Sequence, residues 1–265
     1  MSSSTKTLDR SSSGQWDSLE RSETIDAQRA LRRPGFMRDL EGFLVEWLSV
    51  APGGSCLELG CCPGLFLQFM GDRFGMDLHG IDYVSRGAEI ARRNLEGVGF
   101  EAHIECADMF DYSAGRKFDL VTSFGLIEHF DDSAEVIRQH ARHVRAGGQV
   151  LITFPLHDGI YGRAMGWAAP DRLAQHNRMS LEDAVRAVAL IDHVEVRNAG
   201  CLGRIGLGAT RVHQKLDGLF PGSRLALGIP VRGVELALQY VVPNSRFLSP
   251  YACLLLDVKD EVPDP

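Results

Sequence analysis

The sequence predicts an α/β fold with a seven-stranded, mostly parallel sheet and helices on both of its faces. Short apolar segments alternate with amphipathic segments between residues 54 and 155, and this alternation is typical of parallel strands joined by covering helices. Two more β-rich segments follow, at 192–200 and 250–260, which complete the set of seven. The chain has 265 residues, 45% of them apolar, which suffices for one such domain with insertions.

Helical patterns precede the sheet. Apolar residues recur at helical spacing over residues 36–50, at Phe36, Leu40, Phe43, Leu44, Trp47 and Leu48. A shorter helix is predicted around 15–31. Residues 1–14 are rich in Ser and Thr and contain no apolar run, so we expect a disordered tail there. The helices of residues 15–50 are expected to cover the site that the sheet forms.

Strands and helices then alternate along the chain. The first five strands are predicted at SCLEL (55–59), DLHGID (77–82), FEAHIEC (100–106), KFDLVTSF (117–124) and QVLITFP (149–155). The helices between them are predicted at LFLQFMGDRF (65–74), SRGAEIARRNLEGVG (85–99) and DSAEVIRQHARHVRAGG (132–148). Glycine ends the second helix, as is common, and Asp131 or Asp132 can cap the third.

The rhythm changes after Pro155. Residues 156–180 are predicted as loop. The segments that follow are a capped helix, SLEDAVRAVAL (180–190), and two strands, DHVEVRNAG (192–200) and PYACLLLDVKD (250–260). Between these strands lies an insertion, 203–249, with an apolar helical stretch. We expect residues 51–202 and 250–260 to form the core, and the insertion to form a lid over the substrate.

Composition restricts the partners and the compartment. The net charge is −7 and the pI about 5.7, which counts against a nucleic acid partner because binding a phosphate backbone needs a positive surface. The six cysteines are scattered, without a Cys-x-x-Cys pair, which indicates a reducing compartment. No segment has the ~20 apolar residues of a membrane span. A cytoplasmic protein is expected, with at most weak membrane-surface association through the insertion.

The candidate site residues follow the strands. In open α/β sheets ligands bind beyond the carboxyl ends of the strands. Glu58 and Gly60 end the first predicted strand, and Asp82 ends the second, where a carboxylate can accept both ribose hydroxyls. Asp108 follows the third strand and can accept an adenine amine, with the Met109 N–H beside it. Tyr83, after Asp82, offers a flat face to a base, so the set describes an adenosine pocket.

The turn after the first strand narrows the choice of nucleotide. It reads Gly60-Cys61-Cys62-Pro63-Gly64, which lacks the second and third glycines of the dinucleotide fingerprint, G-x-G-x-x-G. The phosphate loop G-x-x-x-x-G-K-[ST] is absent from the sequence as well. Ribose and adenine contacts without a phosphate cradle indicate a nucleoside without phosphates.

Five motifs then resemble one family. LELGCCPGLFL, HGIDYVSRGAEIARRN, ECADMFDY, KFDLVTSFGLIEHFDD and VRAGGQVLITFP are similar, in order and spacing, to the motifs of class I S-adenosylmethionine-dependent methyltransferases, with a Rossmann-like fold. The GLIEHFDD segment most resembles the small-molecule branch that includes ubiquinone-pathway O-methyltransferases and natural-product tailoring enzymes.

The resemblance implies S-adenosylmethionine as cofactor and assigns roles to matching positions. Glu58 and Gly60 would hold the methionine end and the ribose, Asp82 the ribose hydroxyls, and Asp108 and Met109 the adenine. The turn through Cys62 and Gly64 would line the cofactor, and the backbone at Ser123 and Phe124 would face the sulfonium. Cys62 departs from the family, which commonly has glycine there, and it is tolerated if its backbone angle is negative.

Catalytic and substrate residues are predicted from the loops. An oxygen nucleophile must lose its proton, and His129 and His157 are the candidate bases, although either can instead order its loop. Tyr161, Trp167 and His176 are expected to contact an apolar or aromatic small molecule. Glu128 to Asp132 could suggest a divalent metal, but acidic residues here also start a helix, so no metal is predicted.

Alternatives to small-molecule methylation stay open. The same fold could use the cofactor as a structural element in a cyclisation. It could also methylate RNA or protein, or bind without catalysis. Intact Asp82 and Asp108 count against a vestigial pocket, and the net charge counts against RNA. O-methylation is favoured over N- or C-methylation, and the protein is expected to be a monomer or a homodimer.

Overall fold

The computed structural model describes residues 35–205, 210, 212–220, 228–260 and 262. The predicted tail at 1–14 and the predicted helix around 15–31 lie outside this part of the chain.

Seven strands form a single sheet in the order β3-β2-β1-β4-β5-β7-β6. They are β1 Ser55–Leu59, β2 Asp77–Asp82, β3 Ala102–Cys106, β4 Phe118–Phe124, β5 Val144–Pro155, β6 Val194–Leu202 and β7 Tyr251–Val258. Strands β1 to β5 pair in parallel, and β7 runs antiparallel to both β5 and β6. The predicted seven-stranded, mostly parallel sheet is confirmed.

Helices pack on both faces of this sheet. They are α1 Phe36–Trp47, α2 Leu65–Phe74, α3 Ser85–Gly97, α4 Ser133–Arg142, α5 Ile160–Ala168, α6 Pro170–Ala174, α7 Leu181–Val188, α8 Val212–Leu219 and α9 Gly228–Val241. Asp132, one of the two caps predicted from the sequence, caps α4 by accepting from the Glu135 N–H. Ser180 and Asp183 form a capping box at the start of α7, which satisfies two otherwise unpaired N–H groups.

The core occupies both faces of the sheet. On β5, Val150 and Ile152 belong to one apolar cluster, whereas Leu151 belongs to the other. Leu254 and Leu255 of β7 divide in the same way. Successive side chains of a strand point to opposite faces of the sheet, so a continuous apolar run contributes to the apolar core on each face. This explains why the central strands read as unbroken apolar segments rather than alternating ones.

Two boundaries and one loop differ from the predictions. Helix α4 ends at Arg142 instead of continuing to Gly148, and β5 already begins at Val144. The glycine pair was interpreted as a helix end, but a Cβ on Gly148 would lie 2.8 Å from the Asp119 carbonyl oxygen of β4. Glycine at this position therefore permits close strand approach, next to a register shift between Phe118 and Leu120.

Residues 156–180 were predicted as loop, and this was wrong. They contain α5 and α6. The first half of this segment contains several glycine and alanine residues, so its apolar pattern is too weak to predict a helix. The helices form because of tertiary packing, in which Tyr161, Met165 and Leu173 are buried together. Among the described residues, no helix has the length and apolar character needed to cross a bilayer.

Candidate active site

The strand order places a crevice between β1 and β4. From β1 the chain continues to β2 and β3 on one side, and β4 and β5 lie on the other. Such a switch point is where open α/β sheets bind ligands. The Ala107 N–H donates to the Asp82 carbonyl at 3.1 Å, so the segment that carries Asp108 and Met109 starts beside the end of β2. The topology thus brings the predicted strand-end residues to one edge of the sheet.

The turn after β1 is built on two left-handed glycines. Gly60 has φ +74° and Gly64 has φ +93°, a region that favours glycine. The N–H groups of Gly60 and Cys61 both donate to the Ile81 carbonyl, at 2.8 and 3.0 Å. A Cβ on Gly64 would lie 3.1 Å from the Ala91 carbonyl oxygen, so this glycine also allows α3 to approach. The turn is therefore held against β2 and α3.

Cys62 adopts an ordinary backbone angle in this turn. Among the described non-glycine residues, positive φ occurs only at His193 and Arg204, so the condition that the sequence set for Cys62 is met. Burial and nearby carboxylates raise the pKa of Cys62 to about 11, and Cys61 is fully buried. A protonated thiol is a poor nucleophile and metal ligand, which favours packing over a redox or metal role for this pair.

Asp82 organises the turn through backbone hydrogen bonds. Its Oδ2 accepts from the Cys62 N–H at 3.2 Å, and its Oδ1 accepts from the Val84 N–H at 3.0 Å. Burial raises the pKa of Asp82, against the effect of these two hydrogen bonds. A Cβ on Gly87 would lie 2.8 Å from Oδ1, so α3 also leaves space for the carboxylate. One side chain joins both turns that border the crevice.

Glu58 is a buried carboxyl group on β1, 2% exposed. Burial raises its pKa well above the usual range. The Leu67 backbone N–H opposes this effect, and the charge of Asp82 adds to it. Its Oε2 has no hydrogen-bond partner among the described residues. A buried carboxyl oxygen without a donor is unfavourable, which makes Glu58 a candidate contact for a polar or cationic group of a ligand.

Three predicted cofactor residues lie after β2 and β3. Tyr83 is 46% exposed, which leaves its ring accessible at the crevice edge, and Met109 is buried. Asp108 uses Oδ1 to accept from the Phe110 N–H at 3.0 Å, which orders the turn that carries Met109. The adenine contacts assigned to these residues stay a prediction.

Ser123 and Phe124 end β4. The Ser123 hydroxyl lies 2.8 Å from His140 Nε2, and His140 Nδ1 lies 2.7 Å from the Val136 carbonyl. Since only a protonated Nδ1 can donate to that carbonyl, Nε2 accepts from Ser123. The Phe124 ring stacks on Phe66 with a centroid separation of 3.6 Å. Both side chains are thus engaged within the protein, and the backbone role predicted for this strand end stays a prediction.

The row of aromatic rings continues beyond Phe124. Phe66 contacts Phe36 of α1 at 5.9 Å, Phe36 contacts Tyr251 at 4.8 Å, and Tyr251 contacts Tyr161 at 6.3 Å between ring centroids. Of these rings, only those of Tyr161 and Phe124 were predicted from the sequence as site residues. Phe36 and Phe66 were predicted only as parts of helices, because a helical pattern cannot separate a pocket wall from an ordinary core.

Three histidines lie near Tyr161, at the end of this row of rings. His129 ends a short 3-10 helix, Ile127–His129, that follows β4. His157 follows β5, and His176 follows α6. The His129 and His176 ring centroids lie 5.1 Å apart, and those of His157 and His176 lie 5.2 Å apart. His176 Nδ1 is 3.2 Å from His157 Nε2. The structure thus brings all three predicted histidines together.

The protonation states in this group are set mainly by burial. Burial lowers the pKa of His157 to about 4, and burial together with His129 and His157 lowers the pKa of His176 to about 3. Both rings are neutral at pH 7. Glu128, between Ile127 and His129, is 4% exposed, and burial raises its pKa to about 8. In the sequence, Glu128 belongs to the segment from Glu128 to Asp132 that could suggest a divalent metal, although no metal was predicted there.

The two predicted substrate residues of α5 differ in placement. Tyr161 is buried, and its ring centroid lies 6.1 Å from that of His157. Trp167, on the same helix, is 49% exposed. Only Tyr161 lies against the histidine group, and Trp167 is on the protein surface.

Comparison with known proteins identifies the family of this domain. A family model described as a methyltransferase domain matches residues 30–199. The ubiquinone biosynthesis O-methyltransferase of Thiobacillus denitrificans is 30% identical over 122 residues, which cover 44% of this chain and 52% of the relative. The Stutzerimonas stutzeri protein of the same description is 34% identical over 110 residues, covering 41% and 47%. The chain therefore spans about half the length of these curated relatives.

Solved structures share the fold at low identity. The geranyl diphosphate C-methyltransferase of Streptomyces coelicolor A3(2) has a TM-score of 0.55 and 15% identity, covering 83% of this chain and 78% of its own. The cyclase SpnF has a TM-score of 0.56 and 14% identity, covering 86% and 88%. Because the family model covers more than half of the sequence, the chain belongs to the methyltransferase-domain family, with the fold of class I S-adenosylmethionine-dependent methyltransferases.

Proposed function

We propose that the chain transfers a methyl group from S-adenosylmethionine to a small-molecule acceptor, with oxygen as the favoured acceptor atom. One observation carries this proposal. Glu58 and Asp82 place two carboxyl groups around the Gly60–Gly64 turn at the switch point of the sheet. Acidic groups with no phosphate cradle suit a nucleoside that bears a positive charge and free hydroxyls.

The residues present fit this cofactor. The unpartnered Glu58 Oε2 can accept from an amino or hydroxyl group of the ligand. Asp82 is already oriented by two backbone N–H groups, which leaves its remaining lone pairs for the ribose hydroxyls. Asp108, Met109 and Tyr83 would hold the adenine ring. These roles follow from chemical matching of the groups at the strand ends.

The cofactor, when bound, supplies an electrophilic methyl group. The chain's own residues align the acceptor and exclude water. The stacked rings of Phe66 and Phe124 shield the end of β4, where the backbone would face the reacting centre. His129 and His157 are the candidates to accept the proton of a hydroxyl acceptor. His157 is neutral at pH 7 but is a weak base with a pKa of about 4, which counts against it in this role.

The acceptor is proposed to be apolar or aromatic. The row of rings from Phe124 to Tyr161 offers flat apolar surface between the cofactor side and the histidine group. Helix α1 contributes Phe36 to this row, and α8 packs on α5, which supports covering roles for the N-terminal helices and the 203–249 insertion. Relatives described as ubiquinone biosynthesis O-methyltransferases suggest a quinone-like or secondary-metabolite acceptor.

Calorimetric titration with S-adenosylhomocysteine tests the cofactor half. Asp82→Ala removes a charged hydrogen-bonding group, a loss of about 1.5–3 kcal/mol, so the affinity should fall roughly 10- to 150-fold. Asp72→Ala, on the exposed face of α2, is the control and should bind as the wild type does. Absence of binding by the wild type, or an unchanged Asp82→Ala variant, would contradict the proposal.

Mass spectrometry tests the transfer itself. The protein is incubated with S-adenosylmethionine and a panel of phenols, hydroquinones and amines. A product heavier by one methyl group, formed together with S-adenosylhomocysteine, is the expected result. If the cofactor binds but stays unchanged while an acceptor is cyclised, the non-methylating alternative replaces this proposal.

A further inference from the structure

The histidine group contains a set of side chains suited to a metal ion. Glu128 and His129 come from the 3-10 helix after β4, and His176 comes from the turn after α6, 47 positions after His129 in the numbering of the chain. One ligand atom from each residue lies within 4.8 Å of the other two. The three side chains are only 4%, 5% and 9% exposed. The cluster is therefore buried, in contrast to the groups of acidic residues that are common on protein surfaces.

The charge balance of this group favours a bound cation. Glu128 Oε2 is buried and has no hydrogen-bond partner among the described residues. An ionised carboxylate in such a place is strongly unfavourable unless a counter-charge or a metal accompanies it. A divalent ion among the three residues would let the carboxylate ionise and would give Oε2 a partner.

A ligating imidazole must be neutral, and burial of His176 favours its neutral form. His176 Nδ1 lies 3.2 Å from His157 Nε2, so one ring nitrogen of His176 is already oriented by a neighbouring histidine. Ligating histidines almost always donate their other ring N–H to a neighbouring group. His157 is placed to accept that hydrogen bond and to fix the orientation of His176.

We propose that Glu128, His129 and His176 bind a divalent transition-metal ion of the Zn²⁺ class, with His157 orienting His176. Two imidazoles and one carboxylate are a known ligand set for zinc and for non-haem iron. Mg²⁺ takes oxygen ligands by preference and should bind poorly. Any larger residue at position 125 would crowd the Glu128 carboxyl group, because a Cβ on Gly125 would lie 3.2 Å from Glu128 Oε1.

The metal's role in catalysis rests on the proposed function, although metal binding itself does not. An acceptor hydroxyl bound to the ion would lose its proton at a lower pH. The O–H bond breaks, the electron pair stays on the oxygen beside the metal, and the proton passes to water. In this state His129 is a ligand rather than a base. The group would then select acceptors whose oxygen can reach the metal.

Calorimetric titration of chelator-treated protein with Zn²⁺ and with Mg²⁺, both without S-adenosylmethionine, tests the site. The wild type should bind one Zn²⁺ in the buried group and Mg²⁺ much more weakly. His176→Ala should weaken Zn²⁺ binding by about 100-fold or more, and His157→Ala by about tenfold. His103→Ala is the control, because it dismantles a second, exposed group of Asp77, His79 and His103 and should leave the buried site intact.

A second readout guards against variants that fail to fold. Co²⁺ added to the wild type should give the intense visible absorption of a low-coordinate nitrogen and oxygen site, and Zn²⁺ should remove it. No Co²⁺ band and no Zn²⁺ binding by the wild type, or unchanged binding by folded His176→Ala, would overturn the site. S-adenosylhomocysteine titrations of the same samples keep the two proposals separable: loss of cofactor binding alone defeats the proposed function, and loss of metal binding alone defeats this inference.

Discussion

At the scale of the residue, the Asp82 carboxylate holds together the two turns that border the crevice. Its two oxygens accept the N–H groups of Cys62 and Val84, which belong to the two turns at the edge of the crevice. Spacing alone identified Asp82, because an acid at the end of the second strand lies at a fixed place in a parallel sheet. Its hydrogen bonds to the Cys62 turn were beyond the sequence, since they depend on how the two turns approach each other.

Cys62→Gly should leave cofactor affinity within about twofold of the wild type, which is less than ~0.5 kcal/mol. The backbone angle of Cys62 is already ordinary, and its N–H, the group that Asp82 uses, remains in glycine. S-adenosylhomocysteine titration measures the effect, with Gly64→Ala as the contrasting variant. Gly64 has φ +93°, so alanine there should weaken binding. A large change in Cys62→Gly would show that its thiol contacts the ligand.

His140 gives a stability that depends on pH. Burial lowers its pKa to about 4, whereas the unfolded residue titrates near about 6.5. The unfolded state thus takes up the proton first as the pH falls. The stability from neutral His140 is complete above about pH 6.5 and declines toward pH 4, by up to roughly 1.4 kcal/mol per pH unit.

Urea unfolding of His140→Gln between pH 7 and 4 should therefore show a shallower loss of stability than the wild type. His157 and His176 contribute in the same direction, so part of the slope should remain. His193→Asn is the control, because His193 is exposed and asparagine tolerates its positive φ of 65°. Parallel wild-type and His140→Gln curves would refute the assignment.

At the scale of the element, α5 depends on backbone contacts that only glycine permits. A Cβ on Gly162 would lie 1.9 Å from the His157 carbonyl oxygen, and one on Gly159 would lie 2.1 Å from the Phe247 carbonyl oxygen. The helix therefore packs directly against the strand end that carries His157 and against the segment before β7. This packing, rather than helix propensity, accounts for α5 in a segment predicted as loop.

Gly162→Ala should lower the free energy of unfolding by about 1–3 kcal/mol, the usual effect of overpacking. It should also displace His157, and with it the orientation of His176. Gly166→Ala, on the same helix, is the matched control, because its Cβ would meet only a flexible Leu173 side chain at 3.3 Å. Chemical denaturation measures both variants, and equal stabilities would show that α5 shifts without strain.

At the scale of the whole molecule, Asp39 joins three distant segments. This residue of α1 accepts from the Gly203 N–H at 3.0 Å, from Arg204 Nε at 3.2 Å and from Asn244 Nδ2 at 2.9 Å. Its side chain is 6% exposed. The first described helix is thereby attached to the end of β6 and to the segment before β7, which are the borders of the insertion.

Asp39→Ala should destabilise the protein by about 2 kcal/mol, because a charged acceptor of three hydrogen bonds is lost and its donors are left behind. Glu41→Ala is the matched control on the same helix. Glu41 pairs with Arg73 at the surface, and exposed pairs contribute roughly 0–1 kcal/mol. Urea denaturation curves of both variants give the comparison. Equal losses would mean that Asp39 does not tie these segments together.

The sequence by itself determined the sheet, its order of strands and helices, and the strand-end acids. Apolar periodicity and the position of a residue at the end of a strand are local properties, and a parallel sheet converts them into a defined edge. The family followed from the same motifs. Those local patterns also located Asp82 and Glu58 at the crevice.

Only the tertiary structure decided which residues meet at a distance. The approach of His176 to Glu128 and His129, the row of rings from Phe124 to Tyr161, and the packing of α5 all join segments that are far apart in sequence. The local sequence does not reveal these contacts, because a buried histidine or phenylalanine occupies the same kind of position in the sequence pattern whether it lies in a core or in a site. The unpartnered Oε2 of Glu128 beside the neutral ring of His176 became visible only through burial, which depends on every element packed around it.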